Sequence, residues 1–422
     1  MMSAAGQFAA VFVAAITLNV ALRLALAWRQ YRHVGRHRHA VPADFADGIA
    51  LVEHQKAADY TRARIRLRLL ALAAETLLLL ALTLGGLLGW LDGLLAGALA
   101  GRGYAYGLAL FAGVGIIGFL VDLPFSLYAT FVIEERFGFN KMTWPLYLAD
   151  LAKHTLLAVV VGAPLLLVVL WLMAAMGPLW WLWVWLVWLG FNLLVLLVYP
   201  TLIAPLFNKF SPLPDGPLKA RIEALLARCG FTASGLFVMD GSRRSAHGNA
   251  YFTGFGRARR IVFFDTLIDK LTAPEVEAVL AHELGHFRRH HVWKRIGVMA
   301  LVVLGLLWLL GQVIAAPWFY QGLGVSAASM AMALVLFAQV LPVFLFPLTP
   351  IGSGLSRRHE YEADAYAAQH AEAGSLVAAL VKLYRDNAAT LTPDPLHSLF
   401  YDSHPPASLR IAHLRSLRKD PP

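Results

Sequence analysis

The chain has 422 residues, a net charge of +10 and a 59% share of hydrophobic residues. So apolar a composition excludes an ordinary soluble surface and places the chain in the membrane class. A single cysteine, Cys229, excludes an internal disulfide and a thiolate metal site, and its neighbours Arg228 and Gly230 offer no base to activate it.

Apolar runs of spanning length fall near 8–28, 69–98, 104–130, 151–176, 179–203, 296–317 and 326–350. A bilayer core needs roughly 20 helical residues, so these runs predict seven transmembrane helices in a mainly α, polytopic fold. The second and third runs exceed that length, which predicts tilt or a kink. The first run lacks a signal-peptidase site and reads as a retained helix. Asn19, Glu75, Asp122, Asn192, Gln312 and Gln339 lie within the runs. Polar groups there either bond between helices or face a water-filled interior. Leu91-Asp92-Gly93 reads as a turn.

Lys and Arg gather on alternate connections: Arg29 to Arg68, Arg136 with Lys141, Lys209, Arg288 to Arg295, and Arg357 with Arg358. The other connections carry only Arg102. Basic loops stay cytoplasmic, so the N-terminus is expected outside, and the polar insertion and C-terminus in the cytoplasm, of a bacterial inner membrane or an ER membrane. The positive charge is thereby a matter of topology; the lipid bilayer is the expected partner, and nucleic acid is not.

Residues 1–203 read as a membrane region of five helices, 204–294 as a polar catalytic insertion, 295–350 as a transmembrane hairpin and 351–422 as a second polar part. Pro205, Pro212, Pro214 and Pro217 mark an irregular exit from the membrane. Leu218 to Cys229 has helical periodicity, while Phe237–Met239, Asn249–Gly254 and Ile261–Phe264 read as extended. Thr272-Ala273-Pro274-Glu275 has the form of a helix start.

The helix begun there carries His282-Glu283-Leu284-Gly285-His286. Residues four apart share a helix face, so both imidazoles reach one ion, and Glu283 stands where it takes a proton from bound water. Imidazole ligands with one open position suit Zn²⁺, one per chain. The sequence excludes a metzincin, because Arg289 and Val292 occupy the positions of its Gly and His. No carboxylate lies between Leu284 and His359, which leaves Glu360 as third ligand. Asp364 falls on the same helix face, placed to orient a ligand histidine. One outward and one return span separate His286 from Glu360, so a hairpin brings them to one membrane face. His247, His290, His291, His359, His370 and His397 fall out of register and read as non-ligands.

These segments, with Ser403-His404-Pro405-Pro406, Arg29-Gln30-Tyr31, Lys56-Ala57-Ala58-Asp59-Tyr60, Glu134-Glu135-Arg136-Phe137-Gly138-Phe139-Asn140 and Asn249-Ala250-Tyr251-Phe252, resemble the type I CAAX prenyl proteases along nearly the whole chain. The resemblance implies helices around a chamber capped by a small α+β, gluzincin-like zinc-peptidase domain. It further implies a proton-handling role for Asp364, oxyanion stabilisation by His404, and substrate-binding roles for Asn249 and Arg410. The substrate it implies is a peptide or protein with a prenylated C-terminus, losing its last three residues. General cleavage of misfolded membrane proteins is the alternative within the same chemistry. A transporter or receptor with a vestigial zinc site is the alternative outside it.

Overall fold

A computed structural model describes residues 2–99, 101–253 and 260–417. Among these, six helices are long and apolar enough to cross a membrane: Ala4–Arg36, Tyr104–Glu134, Trp144–Ala175, Gly177–Phe207, His291–Val313 and Met330–His370. The pair Leu51–Leu82 and Leu87–Ala98, bent by 54°, passes the same test only when its two parts are taken together, which gives six to seven spans. Each predicted run overlaps one of these helices or the bent pair and overhangs it by at most four residues: the sixth run extends past Val313 to 317, and the seventh begins at 326, before Met330. The kink predicted in the second run sits at Gly86, whose φ of 77° is reached without a Cβ penalty. Leu91-Asp92-Gly93 is helical, not the turn expected. Asp92 is buried there and accepts a bidentate pair from Arg102 at 2.8 and 2.6 Å and a hydrogen bond from Tyr106 at 2.6 Å. That polar triad clasps the bent span to the next one, and Tyr106, Leu110, Met332 and Leu336 form the adjoining fully buried core.

The helices also run past the apolar segments. Most consequential is Met330–His370, 41 residues that join the seventh span to Glu360 and Asp364. Polar groups within the spans show both expected uses and a third, a bond within the group's own helix. Asn19 donates to the Val343 carbonyl at 3.0 Å, and Asn192 to its own helix at Trp188. Asp122 instead faces an internal cavity of about 870 Å³, lined also by Arg64, Glu134, His247, Asn387 and Tyr401.

The insertion forms a four-stranded sheet in the order β1-β2-β4-β3. Here β1 is Phe210–Pro212, β2 Gly235–Met239, β3 Ala250–Thr253 and β4 Arg260–Phe264. β2 and β4 are parallel, in register Phe237 to Val262; the outer pairs are antiparallel. Gly254, at the end of the predicted extended segment, lies outside the described residues. Ile261 and Phe263 of β4 are buried against Ile222 and Leu225 of Pro217–Arg228, and against Val276, Leu280 and Leu284 of Ala273–Arg288.

Three short tail helices, Ala373–Asp386, Pro395–Tyr401 and Ala407–Leu417, complete this part. Ion pairs weld it to the membrane helices. Arg29 bonds Asp394 at 2.9 Å, Gln30 accepts from the Asp394 amide, and Arg244 holds Asp150 bidentately at 2.8 and 2.9 Å. Tyr60 and His247 both meet Glu134, so two of the motifs noted in the sequence converge on the cavity wall.

Candidate metal centre

The helix Ala273–Arg288 starts with a reciprocal cap between Thr272 and Glu275 and with Pro274 in its first turn. Val276, Leu280, Ala281 and Leu284 bury one face, which fixes the rotation of the helix and turns His282 and His286 toward Met330–His370. Gly285 lets the two helices meet: a Cβ there would stand 2.9 Å from the Ala363 backbone.

Glu360 comes between the histidines across this contact. His282 Nε2 and His286 Nε2 are 3.1 Å apart, and Glu360 oxygens stand 3.4 and 3.3 Å from them. A tetrahedral ion with bonds of about 2.0–2.1 Å spaces its ligand atoms about 3.3 Å apart, so the triangle fits such an ion. Glu360 Oε2 is buried without a hydrogen-bond partner, an acceptor that a cation would satisfy. Among the described residues this is the one three-residue group of metal-binding type.

Each histidine is oriented from behind. His282 Nδ1 donates to Asp364 at 2.9 Å, which leaves its Nε2 lone pair for the cluster. Asp364 is fully buried and accepts two hydrogen bonds from Arg410, at 2.8 and 2.5 Å. Arg410 is therefore buried behind the cluster, with Nη1 3.5 Å from Glu360. Burial opposes a proton on His282, but Asp364 and Glu360 outweigh it and push the imidazole up to about 9. The negative charge gathered here is that of a cation site.

His286 has a support that periodicity missed. Its Nδ1 lies 3.0 Å from His291 Nδ1, and His291 Nε2 lies 3.0 Å from Glu362. The hydrogen bonds form a chain when His286 donates to His291 and His291 to Glu362. His359 stacks on His291 with ring centres 4.0 Å apart. On a continuous helix a residue five positions on points away from His286. Here the helix ends at Arg288, His290 takes a left-handed φ of 58°, and His291 opens the next helix at a new angle. The other histidines read as non-ligands also stay outside the cluster.

Glu283 is half-buried beside the triangle and has no partner among the described residues. His404 stands on the open side, with Nε2 3.3 Å from Glu360 and Nδ1 3.1 Å from the Ser403 hydroxyl. Burial depresses its proton affinity, Glu360 raises it, and Arg410, His282 and His286 lower it further, with a net fall. A neutral His404 with Ser403 on Nδ1 carries its proton on Nε2, which faces Glu360 at the edge of the cluster. Asn249 is exposed at the entry to β3; its side chain accepts from the Ala250 amide at 2.8 Å, and its carbonyl from Phe264. β3 is the sheet edge and packs on the metal helix through Phe252 and Phe287, whose ring centres are 5.2 Å apart.

This arrangement has known counterparts. The five-membrane-helix N-terminal domain of CAAX prenyl proteases matches residues 30–209, and peptidase family M48 matches residues 212–418. The CAAX prenyl protease 1 homolog of Arabidopsis thaliana is 40% identical over 309 residues, 72% of each chain. The Caenorhabditis elegans homolog is 32% identical over 96% of this chain and 98% of its own. The crystal structure of S. mikatae Ste24p superposes with a TM-score of 0.88 at 31% identity, covering 96% of this chain and 98% of its own. With matches on both sides of the membrane boundary, the chain belongs to peptidase family M48 and is a multi-pass membrane metallopeptidase.

Proposed function

We propose that the chain is a zinc endopeptidase that removes the C-terminal tripeptide from prenylated C-a-a-X proteins. The observation that carries this reading is the His282, His286 and Glu360 triangle with an unengaged Glu283 beside it. Two imidazoles and one carboxylate suit zinc and leave a fourth position open. When bound, zinc supplies a Lewis acid and acidifies a water. Glu283 takes the proton from that water and returns it to the leaving amine. Asp364 is saturated by His282 and Arg410, so its part in proton handling is to hold the His282 tautomer. His404 donates from Nε2 to the oxyanion. The open edge of β3 takes the substrate as an added strand, with Asn249 at its start. Arg410 holds Asp364 through Nε and Nη2 and turns Nη1 toward Glu360, so it serves the substrate site through these two carboxylates.

The prenyl specificity is supported by relatives named CAAX prenyl protease 1 and by a cavity set among membrane helices. The peptidase part and both metal-ligand segments are on the cytoplasmic side in this reading. Cleavage of a farnesylated C-a-a-X peptide beside its unprenylated twin tests it. The expected result is release of the tripeptide from the farnesylated peptide, abolished by a chelator and restored by zinc. Equal cleavage of both peptides overturns the prenyl specificity. Cleavage that survives the chelator overturns the metal chemistry.

A further inference from the structure

At the peptidase-side ends of the second and third spans positive charge outnumbers the acids that face it. Arg62 and Arg66 both donate to the Tyr31 hydroxyl, and their guanidinium carbons stand 4.2 and 5.3 Å from the Tyr31 ring centre. Arg62 Nε is buried without a hydrogen-bond partner. Arg136 lies over the Phe137 ring at 5.7 Å. None of the three makes a close ion pair with a carboxylate among the described residues, and Arg62 and Arg136 share with Arg38 the single charge of Asp59 at longer range. The acids on the same segments make their close bonds elsewhere. Asp59 accepts two bonds from Arg38 at 2.9 and 2.7 Å, Glu134 meets Tyr60 and His247, and Glu135 accepts from Asn140.

Arg66 and Arg136 line a single groove of about 360 Å³ between the two spans. Its remaining walls are apolar: Leu67, Leu70, Phe125, Tyr128, Ile133 and Phe137. Leu70 and Tyr128 are 63% and 50% exposed, on helices whose outer faces meet lipid. Charge stands at the end where the helices leave the bilayer, and apolar surface runs from there toward its interior. A free anion has no use for that apolar wall, and a neutral chain has none for two guanidinium groups.

We propose that this groove binds an anionic phospholipid, with its phosphate between Arg66 and Arg136 and an acyl chain along Leu67, Leu70 and Phe125. Guanidinium groups match phosphate oxygens in charge and geometry. Basic residues at a membrane surface attract anionic lipids, and burial of the chain adds affinity that inorganic phosphate lacks. Leu67, Phe125 and Ile133 also line the internal cavity, so the bound lipid braces the cavity wall without touching the metal cluster.

Native mass spectrometry of the full-length protein in detergent tests this, with phosphatidylglycerol and phosphatidylcholine of the same chains titrated in parallel. The wild type retains one phosphatidylglycerol in preference to phosphatidylcholine. Arg66→Gln with Arg136→Gln weakens that binding about 30-fold, at about fivefold per charge, and leaves phosphatidylcholine binding unchanged. Arg66→Lys with Arg136→Lys restores most of it. Cleavage of a soluble peptide at the wild-type rate by both variants establishes that they are folded. Equal phosphatidylglycerol affinity in wild type and the double Gln variant overturns the proposal. So does the absence of headgroup preference in the wild type, or displacement of the lipid by inorganic phosphate at equal concentration.

Discussion

Two carboxylates near the histidines have separable tasks. Glu283 carries no hydrogen bond and no ion pair among the described residues, whereas Glu360 is held between His282 and His286. Glu283→Gln is therefore expected to keep a full complement of metal and lose nearly all activity. Glu360→Ala is expected to lose the metal itself, with metal analysis of the two purified proteins as the measurement. His291 offers a finer test. It touches neither substrate nor ion, and it holds His286 by a bond at 3.0 Å. Loss of such outer support costs about 10- to 100-fold in metal affinity. His291→Ala should show that loss in a competition titration, while added zinc at saturation recovers the turnover. The pairing of His282 with His286 was legible in the sequence, because spacing of four along one helix is a local property, and Glu360 was legible by elimination along the chain. The His291 support was not, because it depends on where the first helix stops and on the angle at which the next begins.

The metal helix depends on its first turn. Glu275 is buried, accepts from the Thr272 amide at 2.7 Å and pairs with Lys382 at 2.7 Å, which ties this helix to Ala373–Asp386. Burial by itself raises the Glu275 carboxyl, but Lys382 and Thr272 outweigh it and hold the group below its usual value. A depressed carboxylate contributes stability that is complete above its unfolded value, about 4.3, and is lost as pH falls through the folded value. Glu275→Gln should thus lower stability by about 1–2 kcal/mol at neutral pH. Thermal melts across pH check this, and the difference between variant and wild type should shrink below about pH 4. Helix starts and strands in this part were readable from capping residues and short apolar runs. Strand β1 was hidden because Phe210-Ser211-Pro212 ends in proline, and such a segment is tolerated only at a sheet edge. Leu91-Asp92-Gly93 was read as a turn from its place on the charge-poor side of the chain, whereas buried pairing with Arg102 keeps Asp92 within a helix.

For the whole molecule, the proposed sidedness rests on the bias of Lys and Arg between alternate connections. Exposed serines suit a labelling test: Ser211 in the sheet, Ser326 between the last two spans, and Ser416 in the tail. Each becomes a single cysteine in a Cys229→Ser background. An impermeant thiol reagent applied to intact cells should label Ser326→Cys, and reach Ser211→Cys and Ser416→Cys only after permeabilisation. Labelling of Ser211→Cys from outside contradicts a cytoplasmic peptidase domain. Six of the spans were readable from apolar length alone, and the bent second run makes the count six to seven. Their continuation past the membrane was not, because the extending turns are polar and are stabilised by contacts with the peptidase part, such as Arg244 with Asp150.

The helical stretch Met330–His370, continuous but for a short 3₁₀ turn, puts Glu360 at the tip of a lever. From the middle of the seventh span to Glu360 is on the order of 20 residues, or about 30 Å of helix. A swing of about 2° in the span moves the tip of such a lever by about 1 Å, a shift large enough to cost on the order of 10²-fold in rate. Span tilt follows bilayer thickness, so thickness becomes an input to catalysis. In vesicles of graded acyl-chain length, turnover should pass through a maximum while metal content stays constant. A flat profile would show that the short 3₁₀ turn at Phe346–Leu348 uncouples the two halves of the lever.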